Sequence, residues 1–235
     1  MKFAPFYLSS KGIALVACAM GSLSAAANPL TLDWVSAGNN PVGNYYVSPY
    51  TAEITSTGQL ITLYCIDFNH EVAPPLEWEA NIQTFDLSNV PAMQYGDLSA
   101  NISSTWAKYE AAAWLITQLT QTTNQYQQAV DQYAAWKIFL DPAHQAAYNQ
   151  SVAAVGGSFA AAVNVAYNDA LNAVANGYTP SGWEIVTPDP PGQPNSTQEF
   201  LTPVTTPEPQ SIILLGTALV AVPFVVRMRS KRRRN

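Results

Sequence analysis

The C-terminal tail constrains the whole chain, because it joins an uncharged apolar run to a cluster of basic residues. Residues 211–226 form a run of sixteen residues without a charge. This is slightly fewer than the roughly 20 needed to span a bilayer, and flanking side chains can make up the difference by snorkelling. Six Lys/Arg follow within the last nine residues, namely Arg227, Arg229, Lys231, Arg232, Arg233 and Arg234. Since basic residues beside a transmembrane helix are retained in the cytoplasm, we predict one transmembrane helix at 211–226, with the preceding chain outside.

The N-terminus has the pattern of a secretory signal peptide. Basic residues precede an apolar run at 12–20, and the small residues Ala25 and Ala27 fit cleavage by signal peptidase after residue 27. A lipoprotein signal ending at Cys18 is the alternative, but its apolar stretch is short and a C-terminal anchor already exists. We therefore predict a signal peptide at 1–27, and an exported chain that keeps a single cysteine.

The exported part is strongly acidic once the two ends are set aside. Between residues 28 and 206, Lys108 and Lys137 stand against fifteen Asp/Glu, which leaves a formal charge of about −13. Such a charge repels phosphate groups, so we expect no binding to nucleic acid through a basic patch. The sequence contains no phosphate loop, no glycine-rich dinucleotide turn and no metal-ligand spacing. We therefore expect no cofactor and no metal.

Strand-like segments dominate the first part of the exported chain. These runs are rich in β-branched and aromatic residues and are separated by Gly, Pro, Asn and Ser, which favour turns. They cover residues 30–35, 44–54, 60–68 and 78–85. The pattern predicts an antiparallel sheet or a small sandwich.

Helical periodicity follows from residue 103 onward. Apolar residues recur at helical spacing over 103–120, 125–140 and 142–176, the last with a candidate break at 156–157. Residues 183–186 have the composition of a final strand. We therefore predict an α+β fold, in which one domain over residues 28–186 joins a strand-rich part to a three-helix region.

A proline-rich segment follows the predicted domain. Residues 187–206 combine proline with Gly, Gln, Asn, Ser and Thr, and proline-rich segments of this kind adopt extended, semi-rigid conformations. We predict a stalk that builds no core and lifts the domain off the membrane.

A short element stands directly before the predicted transmembrane helix. Pro207, Glu208 and Pro209, together with the helix and the basic end, resemble the PEP-CTERM sorting signal over residues 207–235. Exported proteins of Gram-negative bacteria that make extracellular polysaccharide carry this signal, and a membrane-embedded exosortase is thought to process it. The resemblance implies anchoring in the inner membrane before processing, and then a place on the cell surface or in the extracellular matrix. An ordinary C-terminal anchor is the alternative, and it leaves the Pro-Glu-Pro element unexplained.

Cys65 is the remaining cysteine of the exported chain. It has no internal disulfide partner, so it forms an intermolecular bridge, is a reactive thiol, or is a small buried apolar side chain. Spacing alone favours the buried side chain, because free cysteine is among the most buried residue types.

Two motifs together resemble the thioester domains of bacterial surface adhesins. The first is Tyr64–Asp67, an aromatic-Cys-apolar-Asp motif on a predicted strand, and the second is Gln132–Trp136, a Gln-x-x-apolar-Trp motif on a predicted helix. The resemblance covers roughly residues 30–186. It implies that the side chains of Cys65 and Gln132 join as an internal thioester.

The same resemblance assigns supporting roles to neighbouring residues. It implies that Trp136 packs below the bond, and that Tyr64 and Asp67 fix the strand end that presents the sulfur. The family often has Thr before its Gln, where this chain has Asp131. We expect an anion at that position to oppose the approach of a thiolate to Gln132.

The remaining candidates are two histidines and a second glutamine. His70 is the titratable base nearest to Cys65 in sequence, and it is a candidate to deprotonate the thiol or an attacking nucleophile. A cysteine hydrolase, with His70 or His144 as its base, is therefore an alternative. Gln118 is a rival acyl partner, although no Trp follows it at the matching interval.

The predicted function is covalent attachment by an exported, adhesin-like domain. An amine or hydroxyl on a surface partner, or on exopolysaccharide, attacks the activated acyl group, which is consumed in one event, so the protein is not expected to be an enzyme. The alternative is a non-covalent structural component of the exopolysaccharide matrix, in which Cys65 is merely buried.

Overall fold

The structure, a computed structural model, describes residues 29–70, 76–96, 101–193 and 196–204. The predicted signal peptide at 1–27 and the predicted sorting tail at 207–235 lie outside the described residues. Among the helices of the described ranges, none combines the length and hydropathy that a bilayer crossing requires.

A closed antiparallel barrel forms the β part of the fold. The strands are β1 Leu30–Ser36, β2 Asn40–Val42, β3 Tyr45–Val47, β4 Tyr50–Ile54, β5 Gln59–Cys65, β6 Glu77–Thr84, β7 Trp183–Pro188 and β8 Phe200–Pro203. Six of them close in the order β1-β4-β5-β8-β7-β6, with β1 paired to β6, while β2 and β3 form a separate hairpin. Because successive side chains alternate between the two faces of a strand, β4 buries Tyr50, Ala52 and Ile54.

The barrel confirms the predicted α+β class and replaces the predicted sheet or small sandwich. Strands β7 and β8 come after the helices in sequence and complete the barrel beside β5 and β6. The segment predicted as one strand at 44–54 is divided between β3 and β4. Pro49 lies at the division, where it cannot donate a ladder hydrogen bond.

Four helices are inserted between β6 and β7, after a short 3-10 helix at Leu87–Ala92. They are α1 Ile102–Gln121, α2 Gln125–Phe139, α3 Gln145–Val155 and α4 Gly157–Ala175. The side chains of Asn101 and Asn124 accept backbone N–H groups at the starts of α1 and α2. The third predicted helical region is thus two helices, divided at Gly156, whose φ of 124° favours glycine.

Helix α2 is the centre of the molecule. It packs on α1 and α4 and also contacts the β2–β3 hairpin, and every residue from Ala129 to Trp136 is buried. This buried stretch of α2 has no solvent face for polar residues. Its buried Asp131 and Gln132 therefore need partners inside the protein or a bound molecule.

Part of the segment predicted as a stalk, 187–206, is folded into the barrel. Thr187 is buried in β7. Three residues are fully buried at β8, namely Glu199, Phe200 and Leu201. The prolines of this stretch are compatible with strands because Pro188 and Pro203 are the last residues of β7 and β8, where a missing N–H is tolerated. The folded domain therefore extends to the end of β8.

Candidate functional site

Cys65 is the last residue of β5, and its thiol is fully buried. Sγ donates to the Asp67 carbonyl at 3.0 Å, and it accepts from the Trp136 indole Nε1 at 3.2 Å and from the Asp67 backbone N at 3.4 Å. Burial raises the pKa of Cys65 far above that of an ordinary thiol, and the negative charge of Asp67 raises it further. The resting group is a thiol, and the N–H donors can stabilise a thiolate when it forms.

Gln132 holds its carboxamide against the backbone of Cys65. The side chain is fully buried; Nε2 donates to the Cys65 carbonyl at 2.6 Å, and Oε1 accepts from the Ser48 backbone N at 3.3 Å. The Ser48 hydroxyl in turn accepts the Cys65 N–H at 3.0 Å. One shared set of hydrogen bonds therefore holds two residues that are 67 positions apart in sequence.

Trp136 lies one helical turn beyond Gln132 and packs in an aromatic cluster. Its ring centroid is 4.8 Å from Tyr133, 5.4 Å from Phe68 and 6.0 Å from Tyr45, within the range in which aromatic pairs attract each other. Since residues four apart lie on the same helix face, α2 presents both Gln132 and Trp136 to Cys65.

Asp67 and His70 form a dyad beside the cysteine. Asp67 is fully buried, and its Oδ2 lies 2.7 Å from His70 Nδ1. Oδ1 accepts from the Asn69 backbone N at 2.9 Å and from the Tyr95 hydroxyl. The hydrogen bond to Asp67 raises the pKa of His70. The carboxylate thus fixes the orientation of the imidazole, in the manner of carboxylate–histidine pairs in acid–base catalysis.

A cavity of about 280 Å³ opens over Trp136 and His70. We call it the aromatic cavity, because its walls include Trp34, Tyr45, Tyr46, Tyr50, Phe68 and Trp136. Trp136 belongs to both places: its ring lines the cavity and its Nε1 contacts Cys65 Sγ. The cavity therefore reaches the residue that contacts Cys65, although neither Cys65 nor Gln132 lines its wall.

Three residues singled out in the sequence lie elsewhere. The ring of Tyr64 packs on Trp183, with centroids 5.5 Å apart, because it points to the opposite face of β5 from Cys65. His144 Nδ1 lies 2.8 Å from Asp141 Oδ1. Gln118 lines a groove between helices. In the part of the chain that the structure describes, no histidine hydrogen-bonds Cys65 Sγ.

Asp131 does not point at the carboxamide of Gln132. Its Oδ1 accepts from Gln127 Nε2 at 2.9 Å, and it lines a groove between α1, α2 and α4. Neighbouring residues of a helix are about 100° apart around the axis, so the two side chains leave α2 in different directions. The Asp131 carboxylate therefore does not stand in the path of a thiolate that approaches Gln132, contrary to the expectation from the sequence.

Ser48 and Glu199 are residues that sequence reasoning missed. Ser48 acts through its backbone N–H, and no pattern of residue types in the sequence predicts such a role. Glu199 is fully buried and accepts from the Gln94 backbone N, the Thr187 hydroxyl and the Tyr109 hydroxyl at 2.8, 2.8 and 2.7 Å. Burial, as the largest cause, raises the pKa of Glu199 to about 7.

We expect Glu199 to make stability fall as the pH rises. The folded state favours its protonated form, so the stabilisation is complete below the ordinary pKa of 4.5 and is lost as the pH passes through about 7. A shift of this size corresponds to roughly 3 kcal/mol. Glu199→Gln imitates the protonated carboxyl and should lose this part of the pH dependence in urea unfolding at pH 5 and pH 8.

The charge-matched control is Glu77→Gln, on the exposed first residue of β6. It should keep the wild-type difference between the two pH values. Parallel pH profiles for wild type and Glu199→Gln would contradict the raised pKa of the buried Glu199 carboxyl.

No protein-family model and no curated protein matches this chain. Its fold is similar to that of the N-terminal thioester domain of a protein F2 like fibronectin-binding protein from Streptococcus pneumoniae, with a TM-score of 0.44 and 11% sequence identity. The comparison covers 73% of this chain and 92% of that chain. An identity this low carries no residue-by-residue information about chemistry.

Proposed function

We propose that Cys65 and Gln132 form an internal thioester, by which the domain attaches covalently to an amine or hydroxyl on another molecule. Support comes above all from the 2.6 Å hydrogen bond of Gln132 Nε2 to the Cys65 carbonyl. This contact holds the carboxamide next to the residue whose sulfur has to attack it. Both side chains are fully buried, so water competes poorly at the bond.

The bond forms by acyl transfer within the core. Cys65 Sγ attacks the carboxamide carbon of Gln132, the C–N bond breaks, and ammonia leaves with the thiol proton. Negative charge develops on Oε1, which already faces the Ser48 N–H, so the backbone acts as an oxyanion donor. Enforced proximity of this kind is worth effective molarities of about 10⁵ to 10⁸ M.

Attachment to a partner replaces the bond to sulfur with a bond to the partner's nucleophile. A primary amine enters by the aromatic cavity and attacks the acyl carbon; an amide forms at Gln132, and the C–S bond breaks. The thiolate of Cys65 leaves toward the N–H donors of Trp136 and Asp67. His70, held by Asp67, is placed at the cavity wall to accept the proton of the nucleophile.

The acyl group is used once, so the reaction is a single event without turnover.

We further propose that the tail at 207–235 is a PEP-CTERM signal, processed by an exosortase, and that signal peptidase removes the N-terminal signal. The processed chain then reaches the cell surface or extracellular matrix of a Gram-negative bacterium. Partners of matching chemistry are surface amines or hydroxyls, including those of exopolysaccharide. The acidic exported part, which includes only Lys108 and Lys137 as amines besides its N-terminus, offers few nucleophiles that would consume its own thioester.

A non-covalent matrix component is the second candidate. The complete burial of Cys65 favours it, because an inert core thiol has the same surroundings. A cysteine hydrolase has less support, since neither described histidine hydrogen-bonds Sγ.

Intact mass of the exported protein tests the thioester. The wild-type chain should be lighter than its sequence by one ammonia, whereas Cys65→Ala should show its full sequence mass. Gln118→Ala, which removes the rival glutamine, should retain the loss. A wild-type chain with full mass and an unmodified Gln132 by peptide mapping would contradict the thioester.

The same measurement on protein recovered from cells shows whether residues after 206 are removed, and an intact tail would contradict sorting by exosortase.

A further inference from the structure

A second groove lies between α1, α2 and α4, on a different face of α2 from Gln132. Its volume is about 570 Å³, and its walls include Trp114, Gln118, Gln127, Asp131, Val165 and Asp169. Thioester formation uses none of these side chains. We call it the helical groove.

Asp131 is the residue of this groove that has one carboxylate oxygen without a hydrogen-bond donor. It is only 2% exposed; its Oδ1 accepts from Gln127 Nε2 at 2.9 Å, while Oδ2 is buried without a hydrogen bond. A buried carboxylate oxygen without a donor is expensive in free energy. Burial also raises the pKa of Asp131 to about 6. Such a group is the kind of buried polar atom that a bound donor satisfies.

The walls of the groove supply no cationic donor to Oδ2. The walls carry two carboxylates, those of Asp131 and Asp169, and no basic side chain. Lys137 is the basic residue of α2, and its Nζ is occupied 2.5 Å from Asn164 Oδ1 and 4.6 Å from the centre of the Tyr167 ring. The groove is therefore complementary to a positive charge.

An organic cation fits these walls better than a metal ion. In the described ranges, no three His, Cys, Asp or Glu side chains are grouped to hold a metal, and hard cations such as Ca²⁺ require about 6–8 oxygen ligands. An ammonium group needs fewer. Trp114 offers an aromatic face for a cation–π contact, and the carboxamide oxygen of Gln118 accepts a remaining N–H group.

We propose that the helical groove binds an organic primary ammonium group, with Asp131 as its main anion and Asp169 and Trp114 as secondary contacts. The exposed Gln127 side chain covers Asp131 and moves aside when the ligand enters. The inference is independent of the thioester, because it concerns non-covalent binding on another face of α2.

The test uses Cys65→Ala protein, so that no thioester can react with the probe. Nα-acetyl-lysine N-methylamide supplies the ammonium, and Nα-acetyl-norleucine N-methylamide is its uncharged counterpart. Titration followed by amide NMR shifts should show saturable binding of the lysine probe, with shifts at the groove residues of α1, α2 and α4. The norleucine probe should bind at least tenfold more weakly, or not at all.

Variants identify the anion. Asp131→Asn should weaken binding of the lysine probe at least tenfold, Asp169→Asn should weaken it less, and Glu77→Gln should leave it unchanged. Gln127→Ala should tighten binding, because it removes the competing donor. Far-UV circular dichroism checks that each variant is folded, and if Asp131→Asn is not, Asp169→Asn and Gln127→Ala carry the test. Equal binding of both probes, or wild-type affinity in a folded Asp131→Asn variant, would overturn the proposal.

Discussion

Methylamine is expected to label the wild-type domain once, at Gln132, and to leave Cys65→Ala unlabelled. A thioester presents an activated acyl carbon, and a small amine reaches it through the aromatic cavity, whereas an ordinary carboxamide does not react with methylamine. Labelling should also release one free thiol, because the C–S bond breaks when the amide forms. Mass spectrometry of tryptic peptides, combined with thiol titration before and after treatment, measures both products. The expected difference between the two proteins is complete labelling against none.

Matched variants assign the parts of the site in the same assay. Gln118→Ala and Asp131→Asn should be labelled as wild type, since Gln118 and Asp131 both line the helical groove. His70→Gln should be labelled more slowly, with a changed pH dependence of the rate, because the imidazole that accepts the proton is lost. Labelling of Cys65→Ala, or labelling at a glutamine other than Gln132, would exclude the thioester that we propose.

Phe200→Ala is expected to lower the free energy of unfolding by about 3–5 kcal/mol. Phe200 is fully buried and contacts the rings of Trp34, Tyr50 and Trp78 at centroid distances of 6.3, 6.2 and 6.3 Å. Removing the ring leaves a cavity in the middle of the barrel. Since the whole stability of a domain is typically about 5–15 kcal/mol, urea unfolding should show a large shift of the midpoint.

Val204→Ala is the control for this experiment. Val204 follows β8 and is 42% exposed, so its truncation should change stability by less than about 0.5 kcal/mol. If both substitutions had the same small effect, residues 187–204 would behave as the stalk that their composition suggests, and the barrel closure by β8 would be wrong.

The elements with strong local signals were predictable from the sequence. Helix α2 was expected at 125–140 and lies at Gln125–Phe139, because its apolar residues and the following Asp-Pro fix both its face and its end. Strand β1 was expected at 30–35 and lies at Leu30–Ser36. The resemblance of two sequence motifs predicted that Cys65 and Gln132 lie close together. The contact between them could be described only from the folded structure.

Other features depend on contacts between distant segments and leave no local signal. Barrel closure needs Phe200 and Leu201, which lie among prolines that usually mark extended linkers. Glu199 draws its donors from Gln94, Tyr109 and Thr187, which no single window of sequence contains. Ser48 contributes a main-chain group, so its identity says nothing of its role at Gln132.

The position of β8 also decides how the domain carries a mechanical load. Phe200 and Leu201 pair with Cys65 and Tyr64 of β5, so traction on the chain beyond Val204 enters the barrel beside the strand that bears the thiol. A load on a molecule joined to Gln132 enters at α2. Between these two points of attachment lie the packed contacts of Cys65 with Gln132 and Trp136. A partner joined to Gln132 would thus be connected to the chain beyond Val204 through the core of the domain.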